Sequence, residues 1–234
     1  MTANTVGRDR KRMAKGFAVL VAALLVQSCI TRDAEPRSAE REQQRAEREQ
    51  APATKAQTRQ CLADLAAAGA QFDVLPDRND GGGCSIEGAV QLRSVRGDAR
   101  TISLSNLGPL ECDAALTFAN WSRYGAGRAA AQIMDSPLAR VETFGTYSCR
   151  NIAGSNRRSG HARARAIDVS AFRLENGRRI SVSDDWDGGD EAAEFLRIVH
   201  RSACRRFATV LGPDYNQAHD DHFHFETGTG QFCR

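Results

Sequence analysis

Three of the protein's five histidines lie close together near the C-terminus, where their spacing suits metal binding or proton transfer. They are His219, His222 and His224, and a fourth, His161, precedes Asp168 by seven positions. Because successive side chains of a β-strand point to opposite faces, His222 and His224 would share one face of a strand. Two imidazoles on one face of a rigid strand form a convergent pair of nitrogen donors.

Asp168 is the residue that most needs a partner, since it interrupts the otherwise apolar run 166–169. An ionised carboxylate buried in such a strand is costly unless a cation or strong hydrogen-bond donors pair with it. A metal ion would supply that pairing, and His161 would reach the same ion from the loop before the strand. Two nitrogens, one carboxylate oxygen and one open position are typical of a catalytic zinc site. The same donor atoms also bind Mn²⁺ or Ni²⁺, and the general order of divalent metal affinities does not by itself exclude Cu²⁺.

The competing interpretation is that these histidines bind no metal. An isolated histidine is more often a surface or hydrogen-bonded residue than a ligand, and an H-x-H pair by itself is a weak signal. The combination of residues 161–168 with residues 219–224 favours the metal site. His200 stands apart on a predicted helix, and we interpret it as an ordinary helix residue.

The N-terminal segment has the anatomy of an export signal. Basic residues precede a short apolar run at residues 17–26, and Cys29 follows soon after that run. A cysteine in this place resembles a bacterial lipobox, so we predict a lipoprotein-type signal peptide over residues 1–28 and a lipid on Cys29. An ordinary signal peptide with an incidental cysteine is the alternative. Lipidation predicts a membrane-anchored periplasmic protein, and Ile30, where aspartate would favour the inner membrane, points to the outer membrane.

The cysteine count agrees with export. The chain has seven cysteines, and setting Cys29 aside leaves six, an even number that predicts three disulfides in an exported protein. A cysteine metal site is disfavoured because the chain contains no C-x-x-C pair. Proximity along the chain favours the pairs Cys61–Cys84, Cys112–Cys149 and Cys204–Cys233.

Length and composition suit a single exported domain. A chain of 234 residues accommodates one medium domain and a leader. The net charge of +3 is spread among mixed signs, which excludes the concentrated basic surface of a dedicated nucleic-acid binder. Residues 31–57 are polar and lack large apolar side chains, so we predict that residues 29–57 are the lipidated cysteine and a flexible charged linker. The folded domain is predicted over residues 58–234.

Hydrophobic periodicity predicts a mixture of helices and strands in that domain. In the closing strand, Phe223 and Phe225 would face the core. Because helices and strands are segregated along the chain, the predicted fold class is α+β. Helices are expected at residues 59–68, 111–124 and 190–210. Strands are expected at residues 89–95, 141–148, 166–172, 179–182 and 220–226, with a hairpin turn at Asn176-Gly177.

Two blocks resemble the LAS metallopeptidases, which include the D-alanyl-D-alanine peptidases. Residues 159–168 resemble their S-x-H-x-x-G-x-A-x-D block, with Ala164 in place of the usual glycine. Residues 219–224 resemble the H-x-x-H-x-H ending of the murein endopeptidase branch and differ from the E-x-x-H form of the dipeptidases and carboxypeptidases. More closely, residues 58–234 resemble the bacterial extensin-like C-terminal domain family. The segments that carry this closer resemblance are residues 147–150, 159–172, 185–186, 211–216 and 219–225.

The resemblance implies a small antiparallel sheet with flanking helices, as in LAS peptidases and their hedgehog relatives, stabilised here by disulfides. It implies that His161, Asp168 and His224 bind Zn²⁺. It implies that His222 lies beside the metal-bound water, while His219 lies behind the ligands or orients the substrate. Strand geometry makes His222 the better-placed candidate for the general base.

The resemblance also implies an activity. We expect zinc-dependent hydrolysis of an amide bond in the stem peptides or cross-links of peptidoglycan, as an endopeptidase or a carboxypeptidase. Ser159 and Arg150 would bind a substrate carboxylate or carbonyl. The alternative is a non-catalytic, zinc-containing lipoprotein that binds peptidoglycan or has a structural role in the envelope. The lack of a carboxylate at position 219 keeps this alternative open, because the E-x-x-H relatives use that glutamate as the base.

Overall fold

The computed structural model describes residues 40–41 and 54–234. The predicted signal peptide over residues 1–28, the lipid site Cys29 and most of the predicted linker lie outside the described residues, so these assignments stay predictions. Within the described residues, no helix combines the length and the apolar character that crossing a membrane requires.

The domain begins with helix α1, Lys55–Ala67. The apolar pattern predicted a start at residue 59, but the helix starts at Lys55 because Thr54 caps it. The Thr54 hydroxyl accepts a hydrogen bond from the backbone N–H of Gln57, and the Gln57 side chain accepts one from the backbone N–H of Thr54. This reciprocal pair satisfies two of the N–H groups that a helix start leaves without partners.

Twelve strands follow within the described residues, and ten of them form one sheet. The strands are β1 Gln71–Val74, β2 Arg78–Gly81, β3 Cys84–Ile86, β4 Ala89–Arg96, β5 Thr101–Ser105, β6 Leu110–Glu111, β7 Leu138–Gly145, β8 Ala166–Leu174, β9 Arg179–Ser181, β10 Thr209–Leu211, β11 Phe223–Glu226 and β12 Phe232–Cys233. The sheet order is β1-β4-β5-β7-β8-β11-β10-β12, with β6 paired to β4 and β9 to β8, while β2 and β3 form a separate hairpin. The β5–β7 and β10–β12 pairs are parallel.

The remaining helices complete the α+β fold. Helix α2 spans Cys112–Trp121 and continues through a π-helical segment, Ser122–Gly127, into α3, Arg128–Ile133. Helix α4 spans Val182–Asp185 and α5 spans Glu191–Cys204. The predicted fold class, α+β with disulfides, is confirmed. The sheet is larger than the predicted small one and includes two parallel pairs.

Helix α5 ends earlier than the apolar pattern predicted. Asp190 caps its start by accepting a hydrogen bond from the backbone N–H of Ala193 at 3.2 Å. After Cys204 the chain leaves the helix and enters β10, where Val210 pairs with Phe225 of β11. The predicted helix reached residue 210 because Val210 continues the apolar spacing of the helix, and a buried residue of a following strand can do so by chance.

Aromatic side chains from the helices and the sheet fill the centre of the core. The Trp121 indole N–H donates to the carbonyl oxygen of Val199 at 3.1 Å, which ties α2 to α5. Burying one such ring contributes about 1.5–3 kcal/mol. The fully buried aromatic residues are Phe118, Trp121, Phe172, Phe195, Phe223 and Phe225. Phe223 and Phe225 therefore face the core as predicted.

Three disulfides are present, as the cysteine count predicted, but two of the predicted pairings are wrong. The bonds are Cys61–Cys112, Cys84–Cys149 and Cys204–Cys233, with Cα–Cα distances of 6.1, 5.5 and 5.6 Å. The predicted pairs Cys61–Cys84 and Cys112–Cys149 fail because tertiary packing overrides chain proximity. Helix α1 packs against α2, which begins at Cys112, and β3 packs against the segment that precedes β8.

Candidate functional site

Asp168 and His224 are direct partners in the ladder between β8 and β11. The neighbouring pair, Ile167 and Phe225, is fully buried in the core. Because side chains alternate along a strand, Asp168 and His224 lie on the opposite face. His224 Nδ1 is 2.9 Å from Asp168 Oδ1.

His161 reaches the same place from a short 3₁₀ turn, Gly160–Arg163, that precedes β8. Its Nε2 lies 3.2 Å from Asp168 Oδ2 and 3.2 Å from His224 Nδ1. One ligand atom from each of the three residues lies within 4.8 Å of the others. His161 and His224 are buried, and the Asp168 side chain is 15% exposed. We call His161, Asp168 and His224 the His-Asp-His cluster.

The turn that carries His161 is shaped at both ends. Ser159 caps its start, because its hydroxyl accepts a hydrogen bond from the backbone N–H of His161 at 3.4 Å. Ala164 ends it in the left-handed conformation, with φ at 55°. That conformation costs a residue with a side chain about 1–2 kcal/mol. Glycine avoids the cost, which explains why the motif that residues 159–168 resemble usually has glycine at this position.

The outer ring nitrogens of the two cluster histidines both have acceptors. His161 Nδ1 lies 2.7 Å from the backbone carbonyl oxygen of Thr146, and since a carbonyl only accepts, this nitrogen carries the proton. His224 Nε2 lies 3.4 Å from Oε2 of Glu226 and donates to it. In these tautomers His161 Nε2 and His224 Nδ1 turn their lone pairs towards Asp168.

The charges around the cluster favour a positive charge at its centre. Burial by itself would raise the pKa of Asp168, but hydrogen bonds with His161 and His224 outweigh burial and lower that pKa well below its ordinary value. Burial would likewise lower the pKa of His224, yet hydrogen bonds with Asp168 and Glu226 raise it to about 9. Both shifts have one cause, which is the preference of Asp168 and Glu226 for a positive charge beside them, and a metal ion would supply that charge in place of a proton on His224 Nδ1.

His222 lies beside the cluster, although it immediately precedes β11 rather than belonging to it. Its Nε2 is 3.5 Å from Asp168 Oδ1. Its Nδ1 is 2.7 Å from Oδ1 of Asp221, which accepts the proton on that nitrogen. Nε2 of His222 is thereby left facing the cluster. Asp221 is a carboxylate contact that the sequence pattern did not single out.

His219 is the fourth imidazole of the group. Its ring centroid lies 5.2 Å from that of His222 and 5.9 Å from that of His224. Its Nδ1 is 2.7 Å from Oδ1 of Asn216. Burial, followed by repulsion from His222 and His224, lowers the pKa of His219 to about 4, so this ring is neutral at neutral pH.

The two predicted substrate-binding residues are placed differently. Ser159 is buried, and its hydroxyl is used in capping the turn that carries His161. Arg150 is exposed on the loop that follows β7. Its positive charge adds a small effect to burial in lowering the pKa of His219.

Glu226 and Gly160 are site residues that the sequence analysis missed. A Cβ built on Gly160 would overlap the carboxylate of Glu226, so the absence of a side chain there makes room for the acid that contacts His224. The sequence did contain a signal for Glu226. It continues the alternation of His222 and His224 on one face of the closing strand.

The structure also brings together His200, Cys204 and Cys233. Cys204 and Cys233 are joined in a disulfide, so neither sulfur is a thiolate that would bind a metal. Of the two candidate groups among residues 54–234, the His-Asp-His cluster is therefore the one whose donors are available.

The donor set of the cluster fits a divalent first-row transition metal ion. Imidazole nitrogen and carboxylate oxygen are donors that such ions accept. Because Thr146 and Glu226 accept the outer ring protons, His161 Nε2, His224 Nδ1 and the Asp168 carboxylate can direct three lone pairs at one point, where a cation binds in competition with the proton that His224 Nδ1 shares with Asp168. Acceptors behind the ligand rings, such as these two, are typical of metal-bound histidines.

Fold and site together define an α+β, disulfide-linked domain with a buried His-Asp-His group. The family described as Extensin-like protein C-terminus matches residues 59–234. The chain belongs to this family. The matched region runs from within α1 to the end of the chain and contains every residue of the cluster. No curated protein and no solved structure shows significant similarity to the chain.

Proposed function

We propose that this domain is a zinc-dependent hydrolase of amide bonds in the stem peptides or cross-links of peptidoglycan. It would act as an endopeptidase or a carboxypeptidase on an exported, lipid-anchored chain in the periplasm. The observation that carries the proposal is the convergence of His161 Nε2, His224 Nδ1 and the Asp168 carboxylate, with both rings held from behind.

A relation to the LAS metallopeptidases is part of this proposal. The left-handed backbone at Ala164 supports it, since the resembling motif has glycine there. The gathering of His219 and His222 beside the cluster supports it too, because both belong to the H-x-x-H-x-H ending.

His161, Asp168 and His224 would hold the ion. When bound, zinc supplies Lewis acidity, which polarises a carbonyl and lowers the pKa of a water molecule. Asp168 contributes the one negative charge among these three ligands. The hydrogen bonds from the outer ring nitrogens to Thr146 and Glu226 keep His161 Nε2 and His224 Nδ1 aimed at one point.

His222 is the residue that would accept and return a proton. The Asp221 carboxylate accepts the proton of Nδ1, so in the neutral ring the lone pair is on Nε2, which faces the cluster. The same carboxylate stabilises the imidazolium that forms when Nε2 accepts a proton. Asp221 thus supplies the carboxylate that is missing at position 219. His219, neutral because its pKa is lowered, offers the substrate a hydrogen bond rather than a charge.

Digestion of purified muropeptides tests the proposal. Zinc-loaded wild-type protein should release new fragments, and a chelator should abolish the release. His222→Ala should slow the release about 100-fold or more, which is what loss of a general base costs, while zinc stays bound. Tyr124→Ala is the matched surface control, since Tyr124 is exposed and contacts Arg123 and Arg128 rather than the cluster. Cleavage that persists fully in His222→Ala would refute the assigned base.

One observation favours a second candidate function. His222 Nε2 lies 3.5 Å from Asp168 Oδ1, so a third imidazole is near enough to serve as the fourth ligand and complete a closed coordination sphere. The domain would then be a zinc-containing peptidoglycan-binding or structural lipoprotein. In that case His222→Ala would sharply weaken zinc binding, and wild-type protein would bind cell wall without cleaving it. This pair of results would overturn the hydrolase proposal.

A further inference from the structure

A row of aromatic rings crosses the surface beside the His-Asp-His cluster. It begins at Phe144, near the end of β7, whose ring centroid lies 5.8 Å from that of His222. The next steps lead from His222 to His219 at 5.2 Å and from His219 to Tyr215 at 5.5 Å. The last step leads from Tyr215 to Phe232 at 5.8 Å. We call these five rings the aromatic row.

The aromatic row is open to solvent at both ends. Phe144 is 55% exposed, Tyr215 42% and Phe232 44%. Scattered exposed apolar residues need no explanation, but residues joined by contacts into one surface mark an interaction site. At the far end, the guanidinium carbon of Arg234 lies 5.7 Å from the centroid of the Phe232 ring. The row therefore ends on a hydrogen-bond donor as well as an aromatic face.

The backbone beneath the aromatic row is not arranged to bind an extended peptide. The Tyr215 N–H donates to the Gly212 carbonyl oxygen at 2.9 Å, and the Phe232 N–H donates to that of Ala208 at 2.8 Å. The rings come from separate segments, and the edge strand β12 is only two residues long. Strand addition needs a longer edge with free backbone groups. The row offers ring faces and ring edges instead.

A membrane surface fits the aromatic row less well. His219 and His222 are members of the row and also neighbours of the cluster, so a bilayer lying on these rings would cover the candidate site. An occupant on which the site itself acts avoids this conflict. It must extend to both sides of the histidines, towards Phe144 and towards Phe232.

We propose that the aromatic row binds the glycan strand of the polymer whose stem peptides reach the cluster, an inference that rests on the proposed function. A sugar ring has an apolar face of C–H groups and a rim of hydroxyl and amide groups. Aromatic faces pack on the first, while the Tyr215 hydroxyl and the unprotonated Nε2 of His219, whose Nδ1 proton is donated to Asn216, hydrogen-bond the second. A strand lying along the row crosses the histidines, which places its peptide substituents over the cluster.

Calorimetric titration with a soluble hexamer of β-linked N-acetylglucosamine tests the aromatic row. A chelator present throughout separates binding from any zinc-dependent cleavage. Wild-type full-length chain should bind the hexamer. Tyr215→Ala and Phe232→Ala should each weaken binding about tenfold, which is a typical effect of removing an aromatic side chain from the centre of an interface. Tyr124→Ala is the matched control, because Tyr124 is 40% exposed but contacts Arg123 and Arg128 instead.

A conservative variant and thermal unfolding of each protein show whether weaker binding comes from loss of the ring or from loss of the fold. Tyr215→Trp retains an aromatic face and should retain binding. Absence of hexamer binding, or an equal loss in Tyr124→Ala, would overturn the proposal. The proposal would also be overturned if the hexamer does not bind, while anionic phospholipid vesicles or oligothymidine bind and this binding is weakened equally by Tyr215→Ala and Phe232→Ala. Hexamer binding without muropeptide cleavage would support glycan binding by the aromatic row and contradict the hydrolase proposal. Cleavage without hexamer binding would support the hydrolase proposal and contradict glycan binding by the row.

Discussion

Single residues behind the His-Asp-His cluster decide how well its donors are held. His224 contacts Asp168 through one ring nitrogen and Glu226 through the other. Glu226 in turn fits because Gly160 has no side chain. The cluster therefore depends on two residues that donate nothing to the ion we propose.

Glu226→Gln should lower zinc affinity about 10–100-fold, the usual cost of losing an acceptor behind a ligand histidine. The glutamine keeps the shape but removes the negative charge that supports His224. Competition with a chromophoric chelator measures the change. Glu175→Gln is the control, since Glu175 pairs with Arg100 on the surface and should leave affinity unchanged. Equal affinities in wild type and Glu226→Gln would show that the contact does not support the ion.

Ala164→Gly should leave the free energy of unfolding within about 0.5 kcal/mol of wild type. Loss of a buried methyl and the flexibility of glycine together cost about 1–2 kcal/mol, and relief of the left-handed conformation returns a similar amount. Ala162 is equally buried and lies in the same turn, but it has no positive φ. Ala162→Gly should therefore destabilise by about 1–2 kcal/mol. Urea unfolding of both variants checks the contrast, and equal losses would contradict it.

Among the elements, the closing strand β11 was the most predictable. Its alternation placed Phe223 and Phe225 in the core and left His224 on the other face, opposite Asp168. Strand β10 was not predicted, because Val210 continued the stripe of α5. Periodicity reports which residues are buried, and a short buried strand after a helix is ambiguous by that measure.

Helix α5 also carries a histidine whose surroundings the sequence did not reveal. His200 was interpreted as an ordinary helix residue, but it is buried, and its ring packs against Trp186 and Phe223 with centroid distances of 5.6 and 5.2 Å. Its Nε2 has no hydrogen-bond partner among the described residues. Burial lowers the pKa of His200, and Arg197 and Arg201 act in the same direction. The Arg234 backbone and Asp214 oppose the change.

His200→Gln should reduce the loss of stability on acidification. The folded pKa of His200 lies below the unfolded value near 6.5, so the unfolded chain binds more protons between the two pKa values. Stability contributed by the neutral ring is fully present above about pH 6.5 and is lost as the pH falls towards the folded pKa. Urea unfolding at about pH 7.5 and about pH 5 should show a smaller drop in the variant than in wild type. Identical drops would mean that His200 does not titrate on unfolding.

At the scale of the whole molecule, disulfides connect distant parts of the chain. Cys84–Cys149 joins β3 to the loop after β7, and that loop contains Thr146 near its start and Ser159 at its end. Arg158 adds to this connection by donating to the Gly82 carbonyl oxygen at 2.6 Å. Cys204–Cys233 instead joins the end of α5 to β12.

Replacing Cys84 and Cys149 together by serine should cost about 4 kcal/mol of stability, from the entropy that the bond removes from the unfolded chain. The same double replacement of Cys204 and Cys233 should cost a similar amount, because loop length enters only logarithmically. Zinc affinity should separate the two variants. It should fall in the first, where the loop that holds His161 is released, and stay near wild type in the second. Equal affinities would show that the loop keeps its place without the bond.

Much of the chemistry at this site was visible in the residue pattern. Local periodicity predicted the α+β class, the buried faces and the shared face of the histidine strand, because alternation along a strand is a property of neighbouring residues. The odd position of Asp168 in an apolar run predicted that it needs a partner. Asp168 lies against His161 and His224, as that reasoning required.

Tertiary structure alone decided which distant groups meet. The pairing of Cys61 with Cys112, the Thr146 carbonyl behind His161, and the approach of Phe144 to His222 all join segments that are separated along the chain. Such contacts depend on how helices pack and on the order of strands in the sheet, and no local pattern encodes them. Residue types therefore indicated a candidate metal site, while the fold determined which acceptors contact its histidines from behind and which aromatic rings lie beside it.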